Sequence, residues 1–204
     1  MNDMTPVQLD VLKELINIGI GRAASTLNEV TGSHISLEVP FVEVSSLPQI
    51  KKEMAKEISS LVSVVRLNFK GTFSGMASLI LPTDSADELV ASLIGEELED
   101  SDFDKIKIGT FTEIGNIVLN GVMGSIANMV DQEMSYSVPT YEETTISNLL
   151  GVDDSESDKT ILMAQTRFII EQLEIDGDFT LLFKVDSPDV LVKIVDAMIG
   201  FYLE

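Results

Sequence analysis

The chain repeats itself at a fixed spacing, so any fold for it has to hold two copies of one unit. Glu14 is followed by Asn17 and, after 22 further residues, by Pro40; Glu113 is followed by Asn116 and, after 22 further residues, by Pro139. The copies lie 99 residues apart (113 − 14 = 99), a spacing kept by Ile18 and Ile117, Ser36 and Ser135, Val39 and Val138, and Glu43 and Glu142. Later it widens to 102 (181 − 79 = 102), as for Gly75 and Gly177, Leu79 and Leu181, Asp84 and Asp186, Ser85 and Ser187, and Asp87 and Asp189. Three extra residues in the second half explain the change, and the acidic, polar stretch 151–159 is a natural place for them. A length of 204 residues suits one domain built from two repeats, about 1–100 and 101–204.

Each half shows the same order of elements. Thr5-Pro6-Val7-Gln8 is a capping box with proline at the first helical position, opening a helix that runs to about Thr31 and stops at Gly32. Ser101-Asp102-Phe103-Asp104 opens the equivalent helix, which runs to about Asp131. Strands over 35–44 and 134–143 follow, each containing its proline, which marks an edge or a bend. Two hairpins come next: 61–69 with 72–81, joined at Lys70-Gly71, and 161–171 with 178–185, joined near Gly177. Shorter helices begun by Ser85-x-x-Glu88 and Ser187-Pro188 close the halves, and 48–58 reads as an extra short helix of the first half only. The expected fold is α+β, with two long helices related by a pseudo-two-fold axis against a shared, mainly antiparallel sheet.

Composition removes several functions. At 45% hydrophobic and 23% charged residues, a core can form without staples, and the absence of cysteine excludes disulfides and thiolate metal sites. One histidine, His34, leaves little for triads or histidine-rich metal centres, and its place after Gly32 suits a turn or strand start. With 34 acids against 13 bases the net charge is −21, which repels nucleic acid and anionic membranes. A polar start and the lack of an apolar run of spanning length point to the cytoplasm.

On the first long helix, Leu12, Leu15, Ile16, Gly19, Ala23, Leu27 and Val30 form the buried stripe; on the second, Phe111, Gly115, Val118, Val122, Ile126 and Met129 do. Asp10, Glu14, Asn17 and Gly21 form an outward stripe, matched by Gly109, Glu113, Asn116 and Asn120. Glutamate alone is ordinary on an exposed helix. Asparagine in mid-helix is not, because it favours caps and turns. Gly19, Gly21, Gly115 and Gly121 also weaken the helices and call for a close neighbour, either a packed helix or an approaching surface. A carboxylate can act as base, metal ligand or ion-pair partner, while a carboxamide can hold a water in one orientation. No Glu-x-x-His motif supports a di-metal site, and no tryptophan supports a sugar site. The pairs look built to complete an active site that belongs to another molecule.

This pattern resembles the CheC family of chemotaxis phosphatases, whose signature is an acid or serine, three residues, Glu, two residues, Asn, 22 residues, and Pro. Asp10, Glu14, Asn17 and Pro40 satisfy every position, and Asn17-Ile18-Gly19-Ile20-Gly21-Arg22-Ala23-Ala24 is similar to the family's Asn-Ile-Gly-x-Gly-x-Ala-Ala. The second copy, Glu113, Asn116 and Pro139, departs only at the leading position, where Gly109 stands.

The resemblance implies a CheC-like fold and hydrolysis of the aspartyl phosphate of a CheY-type response regulator. Glu14 and Glu113 would dock the regulator's lysine, Asn17 and Asn116 would orient the attacking water, and Asp10, Gly21 and Asn120 would flank the docking surface. Pro40 and Pro139 are structural members of the motif. No cofactor is implied for this chain; Mg2+ belongs to the regulator. Such members commonly bind the receptor deamidase CheD as well, so the alternative is a non-catalytic module that holds CheD or a flagellar-switch component. A third possibility is an acidic scaffold whose duplication is architectural. Asp10 adds a carboxylate one turn before Glu14, so the first site is expected to bind somewhat more tightly and with greater salt dependence.

Overall fold

The computed structural model describes residues 5–32, 34–38, 41–46, 48–50, 52, 61–71, 75–94, 100–129, 133–149, 160–170, 175–185, 192, 193, 195, 196 and 199. Helix α1 is Pro6–Thr31, followed by strands β1 (Ile35–Leu37), β2 (Phe41–Ser46), β3 (Leu61–Lys70) and β4 (Gly75–Pro82) and helix α2 (Thr83–Ile94). The second half holds α3 (Asp100–Met129), β5 (Ser135–Tyr136), β6 (Thr140–Thr145), α4 (Ile146–Leu149), β7 (Thr160–Ile170) and β8 (Ile175–Val185).

Local chemistry sets the ends of α1. The Thr5 hydroxyl accepts from Gln8 N–H while Gln8 Oε1 accepts from Thr5 N–H at 2.7 Å, so the capping box is closed. At the other end Gly32 adopts φ 66°, a left-handed conformation that glycine enters without a Cβ penalty, and its N–H reaches the Asn28 carbonyl. His34 is exposed immediately before β1.

One antiparallel sheet runs through both halves in the order β1–β7–β8–β4–β3–β5, with β2 also paired to β7 and β6 to β3. The first-half strands β1 and β2 thus border the second half's hairpin, and β5 and β6 border the first half's. The registers follow the repeat. Phe41 faces Gln165, and their counterparts 99 positions away, Thr140 and Arg66, face each other. Leu37 faces Phe168, and Tyr136 faces Phe69. At the centre Leu79 faces Leu181, its own counterpart.

Five expectations change. The expected strands 35–44 and 134–143 are each found as two strands, β1 with β2 and β5 with β6; Pro139, which cannot donate to the ladder, stands at the second interruption, while Pro40 lies outside the described residues. Gly177 is not in a turn: it pairs with Phe168 inside β8, and the hairpin continues to Ile170 facing Ile175. The three extra residues belong to this hairpin, not to 151–159. Phe69 and Gly75 enclose residues 70–74, whereas their counterparts Phe168 and Gly177 enclose 169–176. The spans before the hairpins, 47–60 and 146–159, are equal in length. A short helix is not confined to the first half. Residues 48–50 are helical, and α4 occupies the equivalent place. Helix α2 begins at Thr83, two residues before Ser85, while Ser187-Pro188 lies outside the described residues.

Strand alternation supplies two cores. Val65, Leu67, Phe69, Leu79, Leu81, Leu162 and Leu181 face the long helices and pack with Leu15, Ile16, Leu27, Phe111, Val118 and Val122. The intervening Val62, Val64, Ile80, Ile161, Met163 and Leu182 face the opposite side, where Ile50, Ile146 and Leu149 cover them. The central strands are therefore apolar on both faces.

The long helices cross at small residues. A methyl group on Gly19 would lie 2.6 Å from Val122 Cα, and one on Gly121 would lie 3.0 Å from Ala23 Cβ. On the sheet side, a methyl on Gly115 would lie 2.5 Å from Val65 Cβ. Thr26 and Ser125, counterparts in the repeat, each return a hydroxyl hydrogen bond to the carbonyl four residues earlier, and Arg22 Nη1 reaches Ser125 Oγ at 3.1 Å across the crossing.

Equivalent turns of the two helices are anchored differently. Gln8 Nε2 donates to Asp196 Oδ1 at 2.6 Å. Its counterpart Lys107 is 6% exposed and binds Asp87 on α2 at 2.5 Å and Glu143 on β6 at 2.6 Å. Tyr141 donates to the same Glu143 oxygen at 2.7 Å and lies 3.3 Å from Ser63 Oγ. Burial pulls the Lys107 ammonium down, but its hydrogen bonds to Asp87 and Glu143 outweigh this and hold it above the usual lysine range. Burial pushes the Tyr141 phenol up to about 12, and the Lys107 and Tyr141 hydrogen bonds hold Glu143 below the usual carboxylate range.

Gly19→Ala and Gly115→Ala should each lower stability by about 1–3 kcal/mol in urea unfolding, because the overlap outweighs the propensity gain. Gly124→Ala, with open space around it, should instead gain up to ~1 kcal/mol. Lys107→Met should cost about 1–3 kcal/mol, less than a fully buried pair, because water reaches both carboxylates. Glu143 has a depressed pKa, so its contribution is present above the unfolded value near ~4.3 and is lost as pH falls through the folded value. Acid unfolding of Glu143→Gln should accordingly lose part of its pH dependence in that window.

Candidate functional site

Both outward stripes reach the surface as spaced. Asp10, Glu14 and Gly21 are exposed on α1, and Gly109, Glu113 and Asn120 are exposed on α3. Asn17 and Asn116 are half-buried, less open than full exposure would imply, because each stands beside the core stripe of its own helix. Of the expected buried residues, Leu12, Leu15, Ile16, Gly19, Ala23, Leu27, Phe111, Gly115, Val118 and Val122 are buried. The side chains of Val30, Ile126 and Met129 lie outside the described residues. Ile20, Ile114, Leu119 and Met123 are buried as well, which widens the apolar face because each helix packs on both the sheet and the other helix.

Glu14, Glu113 and Asn17 have no hydrogen-bond or ion-pair partner among the described residues. The two glutamates are exposed, and so accessible to a ligand from outside. Asp10 does not stand alone: Lys13 Nζ lies 3.8 Å from its carboxylate, offsetting the charge it brings to the first stripe. Both side chains are exposed, so the pair is weak. Lys13's counterpart, Thr112, bonds instead to the Ile108 carbonyl, and Gly109 has open space around it.

The stripes differ most one turn beyond the asparagines. Asn120 Nδ2 donates to Asn116 Oδ1 at 2.6 Å. Gly21 stands at Asn120's counterpart with nothing within 4 Å of a methyl placed there. Asn120 was legible as part of the stripe, but its bond to Asn116 was not. Lys107 gave a signal that motif reading passes over, namely a basic residue in register with buried Phe111 and Ile114. Pro139 is partly buried between β5 and β6, and Pro40 lies outside the described residues.

Each stripe thus offers a glutamate to a cation and, one turn on, a carboxamide to a water, and the first adds Asp10. Among the described residues no group of three histidine or acidic side chains gathers to hold a metal, and no helix is long and apolar enough to cross a membrane.

Residues 7–44, which contain the first Glu/Asn pair, match the CheC-like family model. The chain is 27% identical over 141 residues to the CheY-P phosphatase CheC of Bacillus subtilis, covering 68% of this chain and 67% of that protein. It is 20% identical over 195 residues to the flagellar motor switch phosphatase FliY of the same organism, covering 95% of this chain but 50% of that protein, so it spans about half of that relative's length. In fold it is similar to Thermotoga maritima FliY, with TM-score 0.74, 22% identity and coverage of 97% and 98% of the two chains. A more distant likeness is to a chain of the CheX-CheY-BeF3-Mg2+ complex of Borrelia burgdorferi, with TM-score 0.54, 15% identity and coverage of 85% and 98%. The mixed α/β architecture with its antiparallel sheet is the one these proteins share, and the first motif lies within the segment that matches the CheC-like family model.

Proposed function

We propose that the chain is a phosphatase of a phosphorylated CheY-type response regulator, with Glu14/Asn17 and Glu113/Asn116 as its two sites. The observation that carries the reading is the placement of both Glu-x-x-Asn pairs on exposed helix faces, with the two carboxylates and Asn17 lacking a described partner. The named activity of the curated CheC relative supports it, as does a neighbour solved in complex with CheY.

On this reading Glu14 or Glu113 pairs with a lysine beside the regulator's aspartyl phosphate and sets the docking angle. Asn17 or Asn116 then holds a water in line with the phosphorus. The water oxygen forms the new P–O bond, the bond from phosphorus to the aspartyl oxygen breaks, and that carboxylate takes the electron pair. Inorganic phosphate departs with the proton shed by the water. This chain forms no covalent intermediate and contributes position and electrostatics. The regulator's Mg2+ supplies charge neutralisation at the phosphoryl group. The protein is read as cytoplasmic, and CheD is a further candidate partner to which no residue is assigned.

The test is a phosphate-release time course with a panel of phosphorylated response regulators. One regulator should be dephosphorylated faster than its own decay. Asn17→Ala with Asn116→Ala should cut that rate by about 100-fold or more, as expected when an attacking group is no longer held. The thermal midpoint should stay near that of the wild type, because alanine improves helix propensity by a few tenths of a kcal/mol per site. A double variant as fast as the wild type would remove the water-orienting role.

A further inference from the structure

We propose that Asn120 is a positioning residue that presets the carboxamide of Asn116, so that the second site is oriented before docking while the first is not. The inference rests on the phosphatase reading and deepens it. Asn120 Nδ2 donates to Asn116 Oδ1 at 2.6 Å, one helical turn away. In the first copy Gly21 occupies that place, open space surrounds it, and Asn17 has no described partner.

An asparagine side chain ends in a torsion with a broad, nearly two-fold profile, so an unheld carboxamide samples both faces. The two faces are chemically opposite, since one end only accepts and the other only donates. A water placed for attack must keep a lone pair towards phosphorus, so the amide has to present a defined end. Asn120 removes this freedom from Asn116. It occupies one lone pair of Oδ1, fixes the amide plane, and leaves the second lone pair and the N–H groups for water. Asn17 must be ordered during the encounter itself. Ordering one such side chain corresponds to roughly threefold to tenfold in rate. Asn120 is exposed, and its hydrogen bond runs to Asn116, so a change in kcat with little change in KM separates positioning of Asn116 from a docking contact of its own.

The experiment uses full-length chains with one working site: Asn17→Ala leaves the second and Asn116→Ala leaves the first. Phosphate release from a phosphorylated CheY-type regulator is measured over a range of regulator concentrations. In the Asn17→Ala chain, adding Asn120→Ala should lower kcat roughly threefold to tenfold with KM changed less than about twofold. Asn120→Asp, which keeps the size but cannot donate, should do the same. In the Asn116→Ala chain, Gly21→Asn should raise kcat by a similar factor, a gain that a merely structural residue would not produce. If kcat is untouched by Asn120→Ala while the Asn17/Asn116 double variant is inactive, the positioning role is wrong and the phosphatase reading stands. If the double variant keeps full activity, both fall.

Discussion

The close crossing of α1 and α3 is the contact on which the arrangement depends. Gly19 receives Val122 and Gly121 receives Ala23, so each helix is narrow where the other is broader. Backbones at this separation let both helices lie on one face of a single sheet and share its core. They also fix the rotation of each helix about its own axis. Once Leu12, Leu15, Ile16, Leu27, Phe111, Val118 and Val122 are committed inwards, the Glu and Asn stripe has no direction left except solvent. Gly115 over Val65 does the same work against the sheet, holding the α3 backbone close to β3.

What could be read from the sequence was mostly local or periodic. Thr5, Pro6 and Gln8 set the start of α1, and Gly32 set its end, because caps are decided within one turn. The outward stripes were legible because a 3.6-residue period separates faces without knowledge of the partner element. Strand register was not legible, because it is a property of two distant segments. Gly177 looks like a turn residue, yet it pairs with Phe168 deep in a hairpin whose extra length shows only in the ladder. The Lys107 cluster was hidden for a related reason. Its partners Asp87, Tyr141 and Glu143 sit on other elements, and one lysine within an apolar stripe reads as an interruption.

The two halves keep the same Glu and Asn and differ in the residues around them. Gln8 and Lys107 anchor equivalent turns by different chemistry: a neutral amide to one carboxylate, or a buried cation between two. Asp10 and Lys13 face Gly109 and Thr112 across the repeat, and Gly21 faces Asn120. These differences avoid the crossing and the central Leu79–Leu181 pair, where both halves need the same geometry. They gather at helix starts and on the exposed stripe, where a change in one copy does not force a change in the other. The two halves thereby pair their strands alike while their exposed helix faces differ in chemistry.

An exposed helix face is an unusual place for catalysis, since it cannot exclude water or build a low-dielectric pocket alone. On the proposed reading it does not have to, because the phosphoryl group and the metal arrive inside the regulator. What this chain then supplies is position, and position is worth most when its carrier is stiff. Here stiffness comes from helices pinned at their crossing and at the turns of Gln8 and Lys107. An asparagine on a free helix would add little, since the partner would have to order helix and side chain together. The glycines that weaken each helix locally permit the packing that makes the pair rigid. Local helix propensity is given up at the positions where tertiary contact returns more in order than the backbone loses.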